Sequence, residues 1–225
     1  MVCLCRVGEE CVIYCGKIVK LKSFFYLMLK ELVPIFGTQT KAQEILFLLK
    51  DLKAVVRQGF YEPELPAVEK FCQENKFFLV KSKFKVFLAE ESNYSNKGIR
   101  LPLEDPRPGL FFVYISKDEE KVWLATFYEQ IGNDYELGLL LGYPECCVRF
   151  FVNNFNENKT NLQLPPQNIY TNLTQREDDF VLLSHFPCSA DCPESIKLGK
   201  KYLALLEKED SIRANSLKEH LEIRD

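Results

Sequence analysis

The hydrophobic period of this chain switches twice, from helical to alternating and back, and that switch restricts its fold class more than any other feature. From Ile18 to Phe36, Leu21, Phe24, Phe25, Met28, Leu32 and Phe36 recur at helical spacing, and Thr38 to Arg57 repeats the pattern with Ala42, Ile45, Leu49, Leu52 and Val56. Gly59 is a stop signal, and Pro63 to Asn75 predicts a third helix with Leu65, Val68 and Cys72 on one side. Then Phe77-Phe78-Leu79-Val80 forms a short apolar run, and Phe84, Val86 and Leu88 alternate with other residues. A Pro/Gly-rich connection covers Asn93 to Gly109. Leu110 to Ser116 and Val122 to Glu129, rich in aromatic and β-branched residues, read as a hairpin turning at Lys117-Asp118-Glu119-Glu120. Strands in succession without intervening helices predict an antiparallel sheet.

Helical spacing returns after Asn133, where Asn133 and Glu136 form a capping box, and that short helix ends at Gly142. Another helix is expected from Pro144 to about Phe155, and a last long one from Pro193 to Glu207 with a weaker extension to Arg224. Between them, residues 156–180 are polar and carry Pro165-Pro166, the mark of a surface loop. The expectation is an α+β fold, an antiparallel sheet of about four strands packed with N-terminal and C-terminal helices. Along the chain it divides into a Cys-rich segment 1–16, one α+β domain 17–209 and a helical tail 210–225.

Composition narrows the function classes. The net charge of −3 lacks the basic excess of a general nucleic-acid binder, although residues 1–85 carry 14 Lys and Arg against 9 Asp and Glu. No apolar run reaches the roughly 18 to 20 residues of a transmembrane helix, and the N-terminus lacks the order of a signal peptide. The expected location is the cytoplasm. In its reducing conditions nine cysteines are thiols or metal ligands before they are disulfides, and the triplets at Asn93, Asn158 and Asn172 are accidents of composition.

Four of those cysteines form two late pairs. Gly142-Tyr143-Pro144-Glu145-Cys146-Cys147 puts adjacent thiols in the first turn of a helix, where free N–H groups favour thiolate. His185-Phe186-Pro187-Cys188-Ser189-Ala190-Asp191-Cys192-Pro193 again sets a Cys at a helix start, with Asp191 or Ser189 as cap. The intervening loop lets the pairs converge. An iron–sulfur cluster or zinc held by Cys146, Cys147, Cys188 and Cys192, with His185 as ligand or adjacent helper, is the leading reading. Adjacent helical residues diverge by about 100°, which is awkward for one tetrahedral ion and easier for a cluster of several irons. Two alternatives stand beside it: a metal-free thiol enzyme or redox protein, and an interaction module in which Cys147 and Cys192 only fill apolar helix faces.

The motifs Leu141-Gly142-Tyr143-Pro144-Glu145-Cys146-Cys147-Val148 and His185-Phe186-Pro187-Cys188-Ser189-Ala190-Asp191-Cys192 resemble the prokaryotic, largely archaeal family known as domain of unknown function 483. The resemblance covers roughly residues 40 to 205 and implies a cytoplasmic prokaryotic protein; it brings no reaction and no metal. Other candidates are weaker. Cys3, Cys5, Cys11 and Cys15 follow no standard metal spacing and suit a hairpin with inward thiols; Cys72 belongs to a helix stripe; His220, Arg149, Glu145 and Asp191 read as surface or helix-start residues. The phosphate-binding glycine loops, the G-x-S-x-G elbow and H-E-x-x-H are all missing.

Overall fold

The computed structural model describes residues 29–88 and 98–223. The expected early hairpin, Cys3, Cys5, Cys11 and Cys15, and the first part of the Ile18–Phe36 helix lie outside the described residues. The elements in chain order are α1 (Leu29–Phe36), α2 (Gln39–Leu49), β1 (Val55–Phe60), a 3-10 turn at Glu62–Glu64, α3 (Leu65–Glu74), β2 (Phe78–Leu88), β3 (Gly98–Leu101) and β4 (Leu110–Ser116). Then follow α4 (Glu119–Ile131), α5 (Asp134–Leu140), α6 (Glu145–Asn154), α7 (Pro193–Glu209) and α8 (Ser211–Leu221). The fold is α+β, as the two period switches predict.

The four strands form one antiparallel sheet in the order β1-β4-β2-β3. Alternation along each strand sends side chains to two different cores. Val56, Phe60, Val113 and Ile115 face the larger core, shared with α1, α2, α3, α7 and α8, while Val55 and Tyr114 face a smaller one closed by Val122 and Ala125 of α4 and Leu137 of α5. The C-terminal pair is held to the rest by Leu203, Leu206, Leu217 and Leu221, all in the larger core, and by Tyr202 stacking on Phe47 of α2 at 4.1 Å.

Three elements differ from the periodic reading. The Thr38–Arg57 helix stops at Leu49: Asp51 takes a positive φ of 59°, Leu52 N–H closes the turn on Phe47 O at 2.8 Å, and Val55-Val56 pairs with Ser116 and Ile115 as β1. β-branched neighbours that fit helical spacing by count prefer the pleated surface when a partner strand is present. Residues 122–129 are helix, not strand. Asp118 caps Glu120 N and Lys121 N, Glu119 and Glu120 sit at the positive end of the dipole, and Gly132 closes the helix at φ 70°, so the supposed hairpin turn is a helix start. The two runs at Phe77–Val80 and Phe84–Leu88 are one strand, β2, interrupted by a bulge between Lys81 and Lys85. There Ser82 Oγ accepts Phe112 N–H at 3.1 Å and donates to Phe84 O at 2.6 Å. The strands total four, but β1 and β3 replace the two that were misplaced, and α3 stands between β1 and β2.

Candidate metal centre

Two local devices aim the thiols. Between α5 and α6, Gly142 adopts φ 81° and Tyr143 N–H bonds Gly138 O at 3.1 Å, reversing the chain so that Pro144 becomes the cap of α6. A Cβ at Gly138 would stand 2.8 Å from Val148 Cγ2, so only glycine lets α6 lie this close to α5. Cys146 and Cys147 then fall in the first turn of α6. At the second pair, Cys192 itself is the cap of α7, without a side-chain capping bond, and Pro193 is the first helical residue. Neither Asp191 nor Ser189 caps that helix. Instead, Ser189 O accepts Cys192 N–H at 3.2 Å, and Ala190 O is held by Asn168 Nδ2 at 2.8 Å and Thr171 Oγ1 at 2.5 Å.

These two helix starts meet. The Sγ atoms of Cys146, Cys147, Cys188 and Cys192 all lie within 4.8 Å of one another. Three separations are 3.8 Å for Cys146–Cys147, 3.7 Å for Cys146–Cys192 and 3.6 Å for Cys147–Cys192. Adjacent Cys146 and Cys147 therefore do converge, despite the angular divergence of neighbouring helical residues. The group is graded in exposure: Cys147 and Cys192 are buried, Cys188 is intermediate and Cys146 is exposed.

Hydrogen bonds favour the buried pair. Cys147 Sγ accepts Cys188 N–H at 3.3 Å and meets Ser195 Oγ at 3.1 Å. Burial still pushes the Cys147 thiol well up, against those two bonds. Burial also raises Cys188, to about 11, with neighbouring thiols adding to it. For Cys192 burial acts upward too, but bonds from the Ser195 hydroxyl and amide, and from the Cys188 and Cys147 thiols, outweigh it and bring the group to about 7. Donors thus outweigh burial at Cys192 but not at Cys147.

His185 is not among the four converging ligand atoms. Its Nε2 lies 2.9 Å from Ser195 Oγ, so it reaches Cys147 only through that hydroxyl. Burial, then the Lys53 and Arg176 charges, lower its pKa to about 3, and the ring is neutral near pH 7. Nδ1 is buried without a partner among the described residues. A buried N–H with no acceptor costs more than a bare ring nitrogen, which assigns the proton to Nε2, donating to Ser195 Oγ, while Ser195 turns its own O–H toward Cys147.

Behind His185 lies a polar layer that sequence reasoning missed. The Tyr143 ring packs 5.0 Å from the His185 ring, and the Lys53 ammonium sits 5.2 Å from the Tyr143 centroid. Burial lowers the Lys53 pKa, but Glu44 overrides it and keeps the ammonium charged in a buried ion pair. Ser184 Oγ completes the layer by donating to Glu44 Oε1 at 2.5 Å. Ser195 carried a faint signal, three residues after Cys192 on the inner side of α7; Glu44 and Lys53 carried none, because they lie far from the thiols in sequence.

The remaining candidates are accounted for simply. Arg149 is exposed and binds Glu145 at 2.6 Å rather than any thiol, and Tyr135 Oη donates to the same carboxylate at 2.8 Å. Cys72 is a core residue of α3, and burial pushes its thiol to about 12. His220 is exposed, as expected of a surface residue, and stacks on Phe180 at 3.8 Å. Among the described residues, no helix is long and apolar enough to cross a membrane.

Comparison with known proteins places the thiol-bearing region. The chain is 32% identical over 100 residues to "Uncharacterized protein MJ1106" of Methanocaldococcus jannaschii, an alignment that covers 40% of this chain and 49% of the relative. The chain thus spans about half the length of that curated relative. No solved structure matches it. The family match starts later than the motif resemblance implied, at residue 124 rather than near 40, and runs to 222, taking in both cysteine pairs, His185 and Ser195. Residues 124–222 of the chain match the model of the family described as "Protein of unknown function (DUF483)".

Proposed function

We propose that Cys146, Cys147, Cys188 and Cys192 bind one metal ion, with zinc as the preferred occupant and His185 as a helper acting through Ser195. The observation that carries this reading is the spacing of the sulfurs. Four ligands about 2.3 Å from a single zinc stand about 3.8 Å apart at the corners of a tetrahedron; Cys146, Cys147 and Cys192 are separated by 3.6, 3.7 and 3.8 Å, and Cys188 Sγ lies within 4.8 Å of each. A cluster of several irons interposes iron and sulfide between thiolates on different metals and spreads them further. The spacing therefore favours a mononuclear site over the iron–sulfur cluster that the Cys146-Cys147 adjacency suggested.

Zinc supplies charge that holds four thiolates together near neutral pH. The protein's own part is to fix two sulfurs rigidly: Cys188 N–H and Ser195 O–H orient Cys147, and the start of α7 orients Cys192. Elemental analysis of anaerobically purified protein tests the reading. One zinc per chain, lost when Cys147 or Cys192 becomes Ser, is expected; a metal-free protein that resists zinc loading overturns it.

A second reading is supported by the 3.6 Å approach of Cys147 to Cys192 and by the lowered Cys192 pKa, which also suit a dithiol cycling with a disulfide. A stable zinc complex under reducing conditions separates the two.

A further inference from the structure

Resting on the metal reading above, we propose that Cys146 is a metal-bound thiolate nucleophile toward a small neutral or cationic soft carbon electrophile bound in the adjoining cleft. Four cysteines fill the tetrahedron of one ion, so any reactivity belongs to a ligand sulfur, and the four sulfurs differ in exposure. Cys147 and Cys192 are each 1% exposed, but Cys146 is exposed and forms part of the wall of a cleft of about 410 Å³. That volume suits a small organic molecule.

The distribution of donors points to the same sulfur. Hydrogen bonds to a thiolate withdraw electron density and blunt its attack. Here the Cys188 amide and the Ser195 hydroxyl serve Cys147, and the Ser195 amide serves Cys192. Cys146 Sγ, by contrast, meets only other thiols of the cluster among the described residues. Cys146 thus combines the greatest exposure of the four with the lack of an N–H or O–H donor to its sulfur among the described residues.

Charge selects the class of electrophile. Four thiolates around one divalent ion carry a net charge of about −2. The cleft rim adds no net charge, because Lys197 and Lys201 are offset by Glu145 and Glu194. An anionic substrate is disfavoured, and a neutral or cationic one is not. In the step itself, the Cys146 lone pair forms an S–C bond, the bond from that carbon to its leaving group breaks, and the leaving group departs with its electron pair. No oxidant or reductant is required. The product thioether is a poorer metal ligand than the thiolate, which loosens one corner of the site.

The test uses limiting iodoacetamide on the full chain at pH 6.5, with and without zinc, followed by peptide mapping and zinc quantification. A free thiol with a pKa of about 8.5 is only about 1% thiolate there, whereas a metal-bound sulfur is fully deprotonated. Zinc-loaded protein is expected to carry one adduct, on Cys146, formed about tenfold faster than without zinc, and Cys146→Ser abolishes it. If zinc binds but slows labelling of Cys146, or if Cys188 reacts first, this inference is overturned while the metal centre stands. If the chain takes up no zinc, both fall together.

Discussion

Replacing Ser195 by Ala puts the organisation of the centre to a quantitative test. Ser195 is fully buried, and its one hydroxyl links His185 Nε2 at 2.9 Å to Cys147 Sγ at 3.1 Å. In the variant both nitrogens of a fully buried neutral imidazole are left without partners, since Nδ1 already has none. A buried donor deprived of its acceptor costs about 1–3 kcal/mol, so the metal-free variant is expected to be about 2 kcal/mol less stable. For a domain of this size that lowers Tm by about 4–8 °C. Zinc affinity falls separately, because a hydrogen bond to a charged sulfur contributes about 1.5–3 kcal/mol, which is tenfold or more in Kd. Urea denaturation of the metal-free chain reads the first effect and chelator competition reads the second. A variant within about 0.5 kcal/mol of wild type in stability, binding zinc equally well, refutes the relay.

The buried pair behind His185 gives a second expectation: Glu44→Gln or Lys53→Met alone costs about 3–5 kcal/mol in denaturant unfolding, whereas Glu44→Leu with Lys53→Met is close to neutral. A single variant without cost places neither charge in the core. The pKa of His185, about 3 when folded, lies below its unfolded value near 6.5, so its contribution is complete above pH 6.5 and is lost as pH falls toward 3. Between pH 7 and 5 the metal-free protein should lose about 2 kcal/mol more than His185→Gln does, and parallel pH profiles would contradict that. Gly138→Ala meets Val148 at 2.8 Å and should destabilise by about 1–3 kcal/mol while weakening zinc binding, as α6 moves off α5. Unchanged zinc affinity would show that the α5–α6 approach does not position the thiols.

Those features of the fold that rest on local chemistry were legible in the sequence. Asn133 accepts Glu136 N–H, Gly142 turns the chain, Pro193 opens α7, and Cys146, Cys147 and Cys192 stand at helix starts. Errors arose where tertiary partners decide between equivalent local readings. Val55 and Val56 fit a helical stripe by count but are strand because β4 lies beside them. Val122 to Glu129 is rich in strand-forming side chains yet is helical, because Val122, Ala125, Thr126 and Glu129 all face inward at helical spacing.

Long-range supports were invisible for the same reason. The Asp179 carboxylate accepts Gln39 N–H at 2.6 Å and Thr40 N–H at 3.0 Å, supporting the start of α2 from 140 residues away. Residues 156–180, expected as a surface loop, send Leu162 and Leu173 into the larger core. The four thiols were found by their motifs, but their mutual distances, on which the proposed single ion rests, depend on how α6 and α7 meet.

X-ray absorption at the metal edge of zinc-loaded protein probes the claim that four sulfurs share one ion. The account predicts a single shell of four sulfurs at about 2.3 Å with no metal neighbour. A shell mixed with nitrogen or oxygen, or metal–metal scattering, would contradict it.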